Sequence, residues 1–137
     1  LSRSCGSCSA CCTVLGVTQM QPEPKPPHQR CAHDSLGRGC RIYADRPQGC
    51  REYACLWLLD PEFLHERDRP DRLGLIFDLN PDFAKAHGDR ALIAREVWAG
   101  SIRAKRAGKV LAAITQSNLK VVLKTWAGRR LPEAKDA

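Results

Sequence analysis

Apolar side chains are scarce where this chain most needs them. Its N-terminal part offers Val14, Leu15, Val17, Leu36, Ile42 and Tyr43 and little else. A segment so poor in core-forming residues needs a covalent or metal staple. No apolar run approaches the length of a membrane span, the stretch Leu56 to Leu59 being far too short. No signal-peptide pattern is visible either, so the expected location is cytoplasmic. A Gly-rich phosphate loop, a Ser-His-Asp order and a nucleotide-binding fingerprint are all missing, which removes the common phosphate-binding and triad chemistries. Aromatics are few, with three Trp, three Phe and two Tyr. Lys105, Arg106, Lys109, Lys120, Lys124, Arg129 and Arg130 make the C-terminal half basic, but no aromatic residues interleave them. They read as a solvated face rather than a nucleic-acid surface. Finally, no cysteine follows Cys55.

What is there is concentrated in the first part: eight cysteines, at Cys5, Cys8, Cys11, Cys12, Cys31, Cys40, Cys50 and Cys55. They are the only candidate staple. An even count would suit a disulfide framework in a secreted protein, whereas a cytoplasmic chain keeps its thiols reduced and uses them for metal. The vicinal pair Cys11-Cys12 also favours metal, because neighbouring cysteines rarely bond each other and would need two separate partners. The formal net charge of +7 counts every cysteine as neutral. Eight thiolates on two dications would change it by about −4, leaving roughly +3, which removes the apparent preference for nucleic acid.

Spacing sharpens the metal reading. Cys5-x2-Cys8-x2-Cys11 is an overlapping triple of the kind that holds one side of an iron–sulfur cube, the fourth thiolate coming from elsewhere. Zinc more often draws on separate close pairs, and the only other close pair is Cys50-x4-Cys55. Iron–sulfur is therefore the first choice of cofactor and zinc the second. Cys12 is expected to point away from Cys11, free for a second metal or for the core. With eight thiolates and His33 available, one or two four-ligand sites can be built, and spacing does not pair the ligands.

The combined pattern is Cys-x2-Cys-x2-Cys-Cys, then Cys31-x-His33, Gly39-Cys40-x-Ile42-Tyr43, Arg46-Pro47-x-x-Cys50 and Cys55. It resembles the CxxCxxCC (YkgJ-type) cysteine cluster family, a zinc- or iron-chelating domain. The resemblance covers Cys5 to Cys55 and implies all eight cysteines as the ligand set. A flagellin lysine-N-methylase is similar in its cysteine pattern, so the resemblance also admits an iron–sulfur-dependent enzyme. The long proline-rich insert after Met20 departs from the family pattern. No catalytic residue is assigned. The expected function is metal binding, with redox or electron transfer as its purpose. The alternative is a zinc-stapled interaction module whose basic surface takes an acidic protein partner.

The remaining elements follow from local signals. Cys5 to Cys12 suits a tight turn or one helical turn, and Thr13 to Thr18 reads as a strand. The prolines Pro22, Pro24, Pro26 and Pro27 make an extended surface loop. A helix is expected from near Pro47 through Cys50 and Cys55 to Leu59, and a second from Asp60-Pro61 to Arg67–Pro70. Strands are expected at Leu73–Leu79, Ala91–Trp98 and Leu119–Trp126, with a helix over Ser101–Ser117 presenting Ala107, Val110, Leu111 and Ile114 on one face. The expected fold is thus a single α+β domain over 1–137. A metal-stapled cysteine region (1–59) packs against a three-stranded β-β-α-β lobe (60–130), and 131–137 form a flexible tail.

Smaller assignments complete the reading. His33 is either a ligand or hydrogen-bond donor to sulfur, or a surface or capping histidine, while His28, His65 and His87 are expected in solvent. Arg46 can offset thiolate charge. Trp57, Trp98 and Trp126 are expected in the core or over the metal region. Asp60, Glu62 and Glu66 are expected as a charged face on one short helix.

Overall fold

A computed structural model describes residues 3–17, 20, 23–35, 38–79 and 81–126, with the backbone alone for Pro81 and Phe83. The expected tail, the pair Arg129 and Arg130, and the turn at Leu36-Gly37 lie outside the described residues, as do Thr18 and Pro22. The chain forms a mixed α+β fold built on one three-stranded sheet.

The N-terminal region is mostly loop, punctuated by short helical turns. Helix α1 spans Ala10–Val14, where a strand was expected from Thr13 onward. Ala10 and Val14 are four apart, so one helical face buries both. This i, i+4 pairing outweighs the β-branched preference of Thr13 and Val14. The strand character survives only as an isolated bridge between Val17 and Lys25. A second bridge joins Asp34 to Cys40 and closes the loop that carries His33.

The long helix expected after Pro47 is two short ones. Helix α2 covers Gln48–Glu52 and helix α3 covers Leu56–Leu59. Between them Tyr53 turns extended (φ −76°, ψ 130°) and Cys55 takes the extended position that precedes α3. The helix expected from Asp60 is also absent. A turn follows instead, in which Asp60 Oδ1 accepts the Phe63 amide, and a 3-10 turn spans Glu66–Asp68. The carboxylates Asp60, Glu62 and Glu66 therefore do not share one helix. Pro70 does not end a helix but opens α4 (Pro70–Leu73), as its fixed φ and missing N–H allow.

The lobe that follows has the expected order. Strand β1 (Leu75–Asp78) pairs antiparallel with β2 (Ala91–Glu96), with Phe77 opposite Ala94. A short helix α5 (Pro81–Ala86), which the sequence did not suggest, connects them. Helix α6 (Lys105–Gln116) then crosses over to β3 (Lys120–Lys124), which lies parallel to β2 with Leu92 beside Val121. Leu73 falls in α4 rather than β1, because Gly74 takes a left-handed turn (φ +85°) that starts the strand one residue later. Leu75, Ile76 and Phe77 are all buried, so β1 is covered on both faces rather than one.

The core sits on this sheet. Trp57, Leu58, Leu64, Leu73, Leu75, Phe77, Leu92 and Ile114 belong to one buried cluster, in which Ala107, Val110 and Ile114 come from the expected face of α6. Among the described residues, Val14 is the only cluster member preceding Cys55. Asp68, fully buried, is gripped by Arg106 through two hydrogen bonds of 2.7 and 2.8 Å, which ties α6 to the turn before α4. Arg106 is therefore not on a purely solvated face. Trp57 is core, Trp126 packs on the core's edge, and Trp98 is exposed at 44%, lying over Gly74 instead of the cysteines. No helix among the described residues is long and apolar enough to cross a membrane.

Candidate metal centre

The cysteines are brought together by loops that each have a specific anchor. Arg3 donates to the Trp57 carbonyl at 2.7 Å and stacks over the Trp57 ring at 4.4 Å, pinning the N-terminus against α3. The Cys8 amide donates to the Cys5 carbonyl, closing the first turn, and α1 starts at Ala10 so that Cys11 and Cys12 ride on its first turn. The Cys31 amide donates to the Cys12 carbonyl at 3.1 Å, bringing the second loop alongside α1. Gly39 approaches so closely that a Cβ there would stand 2.5 Å from the Gly6 carbonyl, and its φ of +95° suits glycine. This contact seats the Cys40 loop directly on the Cys5–Cys8 turn.

The result is one cavity of about 230 Å³ with seven of the eight cysteines in its wall: Cys5, Cys8, Cys11, Cys12, Cys31, Cys40 and Cys50. All eight cysteines are free thiols. Cys55 alone lies outside the wall, buried in the core cluster against which Cys5 and Cys11 pack. Among the described residues no three His, Cys, Asp or Glu side chains are gathered at a single point so as to hold one metal ion. The thiols surround a space instead.

Electrostatics within the cavity are uneven. Burial pushes the Cys8 thiol up to about 12. Burial also raises Cys40 and Cys50, and the neighbouring Cys12 and Cys31 thiolates raise them further. Cys55 is likewise raised by burial, against the opposing pull of the Leu58 and Trp57 amides. Cys11 and Cys12 both face the cavity; the neighbouring Cys12 thiol and burial push Cys11 well above the ordinary thiol range, while the Cys11 thiol lowers Cys12.

Two cations face this cluster. Arg46 lies over the Tyr43 ring at 3.8 Å, donates to the Tyr43 carbonyl at 2.8 Å, and favours the thiolate forms of Cys12, Cys40 and Cys50. Lys25 is the residue that sequence reasoning missed. It is buried at 7% exposure within the proline-rich stretch, and its Nζ donates to the carbonyls of Leu15 (2.5 Å) and Pro26 (2.9 Å). Burial lowers its pKa, while Cys31, Cys12, Cys11 and Cys50 pull it back up. A lone Lys among four prolines reads as solvent-facing; the only hint was that Val17, its bridge partner, sits in the β-branched run.

The histidines divide: His65 and His87 are exposed, as expected, and His28 is not. His33 donates its main-chain amide to Cys31 Sγ at 3.4 Å, and its ring is not in the cavity wall. His28 is not in solvent: its ring meets Trp126 edge-on at 4.9 Å, and its Nδ1 is buried without a partner. His65 takes part in a reciprocal capping box with Asp68. Tyr53, in the bend between α2 and α3, lines the cavity; its hydroxyl oxygen is buried and has no hydrogen-bond partner.

Thiolates suit soft or borderline metals such as zinc and iron–sulfur clusters. Seven thiols, two cations and an orphaned phenol around one cavity make a donor set that fits such a group. Comparison with known protein families, with curated proteins and with solved structures finds no match to this chain.

Proposed function

We propose that this protein is a metal carrier of the thiolate class, holding iron–sulfur in the cysteine cavity and using it for redox or electron transfer. The carrying observation is that seven cysteines from four separate segments of the chain, around Cys5–Cys12, Cys31, Cys40 and Cys50, line a single cavity. Thiols scattered for packing would have no reason to share one space. A volume of about 230 Å³ accommodates several atoms rather than one dication, and the overlapping Cys5, Cys8, Cys11 triple suits a cube. When bound, such a cluster supplies one-electron chemistry. The chain's own residues bind it through thiolates, with Lys25 and Arg46 offsetting the accumulated negative charge. Tyr53, whose buried hydroxyl has no partner, lines the same cavity. The apolar wall around the thiols limits water, which protects thiolates from oxidation. Free thiols in this number fit a reducing, cytoplasmic setting. The motif's resemblance to the CxxCxxCC family points the same way.

Anaerobic purification, a visible absorption spectrum and metal analysis test the reading. Broad charge-transfer absorption with iron and acid-labile sulfide is the expected result. A colourless protein loaded with zinc would overturn the redox assignment and make the centre structural.

A further inference from the structure

We propose that the outer edge of β3 is a docking site for an extended acidic segment of a partner protein, which adds to the sheet as a further strand. The edge lies on the lobe, and none of its residues belongs to the cavity wall. The site is therefore separate from the cysteine centre.

Backbone direction makes the edge available. In the order β1-β2-β3, strand β3 has a sheet neighbour on one side only among the described residues. The Lys120 amide donates to the Arg90 carbonyl at 2.7 Å and so points toward β2. Main-chain N–H and C=O groups alternate from side to side along a strand, which turns those of Val121 and Leu123 outward. Such a row is a template for another strand. Strand β3 contains no proline, and its register with β2 runs unbroken from Lys120 to Lys124. Leu123, at 48%, is the most exposed large apolar side chain among the described residues.

Charge selects the occupant. Side chains alternate between faces, so Lys120, Val122 and Lys124 share one face and Val121 and Leu123 the other. Both lysines are exposed, and neither is paired with a carboxylate among the described residues. From Val97 to Pro132 the chain has no Asp or Glu at all. Glu96, just before that stretch, is buried, and its two oxygens accept the amides of Ile102 and Trp126. Arg95, beside Lys124 in the register, already has Asp78. The edge is thus cationic and unneutralised. A second copy of the chain does not suit it, because antiparallel pairing of two β3 strands about Val122 would set each Lys120 against a Lys124. A segment in which Glu alternates with Val puts carboxylates opposite both lysines and an apolar side chain opposite Leu123, in either strand direction.

The test titrates the intact chain with a fluorescent Glu-Val-Glu-Val-Glu-Val-Glu peptide, reading anisotropy and, by NMR, main-chain amide exchange. Saturable binding with new protection of the Val121 and Leu123 amides is expected, and a peptide with Lys in place of Glu should not bind. Lys120→Ala with Lys124→Ala should weaken binding about 5–30-fold. Leu123→Pro removes an outward N–H while sparing the β2 ladder and should abolish binding; if that variant unfolds, the lysine pair still decides. Absence of binding overturns the proposal, as does binding without amide protection. Equal binding of a single-stranded oligonucleotide would reduce the edge to general cation attraction and overturn it too. Val121 and Leu123 amides already protected in the free chain would mean that the chain covers its own edge. The same protection appearing with concentration-dependent self-association would assign the edge to a second copy. Either result overturns the acidic partner.

Discussion

Asp68 shows how one buried carboxylate can hold two parts of the chain. Burial by itself would raise its pKa, but the two bonds from Arg106 and the His65 amide outweigh burial and leave it below its ordinary value of 3.8. A carboxyl whose folded pKa is depressed contributes its full stability above the unfolded value and loses it as pH falls through the folded one. Asp68→Asn is therefore expected to destabilise the fold by about 2–4 kcal/mol at neutral pH, since it strands a partly buried guanidinium and the His65 amide. It should also flatten the acid side of the stability profile; urea titrations between neutral pH and the acid limb would show both effects. Lys25 carries the corresponding weight in the cavity. Lys25→Met removes a cation facing four thiols and should weaken metal retention about 10–100-fold, read by chelator competition. Retention at the wild-type level would mean that Lys25 serves only the carbonyls of Thr13, Leu15 and Pro26.

Among the elements, those with a period long enough to count were visible in the sequence. Helix α6 shows Ala107, Val110 and Ile114 at helical spacing, and the three strands carry runs of Leu, Ile and Val bounded by Gly and Asn-Pro. The pattern fails where elements span only four or five residues. Ala10 and Val14 mark α1 by a single i, i+4 pair, too little to outweigh Thr13-Val14 as a strand signal. The break at Tyr53–Cys55 has no proline or glycine to announce it; tertiary contacts of Cys55 and Trp57 impose it. Ligands could be named from spacing, but their neighbours could not, because Lys25 and Tyr53 reach the cavity through long-range folding. Helix α6 also holds an improvable position. Gly108 lies mid-helix, and a Cβ there would meet nothing within 4 Å. Gly108→Ala should stabilise the protein by about 0.5–1 kcal/mol, seen as a higher Tm in thermal unfolding.

The molecule as a whole is divided between two means of support. From Cys55 onward the chain has a hydrophobic core on a sheet, while among the described residues before it Val14 alone joins that buried cluster. Stripping the metal proposed for the cavity should therefore act unequally. Amides of the Cys5–Cys12, Cys31–Cys40 and α2 segments are expected to lose hydrogen-exchange protection on chelation, while those of β1, β2 and α6 keep theirs. Uniform loss across the chain would show that the lobe depends on the centre. Uniform retention would show that the centre organises nothing.

The placement of positive charge has a consequence of its own. Lys25 faces Cys31, Cys12, Cys11 and Cys50, and Arg46 faces Cys12, Cys40 and Cys50. On the Cys8 side the nearest cation is Arg69, already neutralised by Asp71 at 2.6 Å. A redox group held by these thiols would therefore have its negative charge offset unevenly, more fully at the Tyr43–Arg46 edge than beside Cys8, and would take up an added electron most readily at that edge.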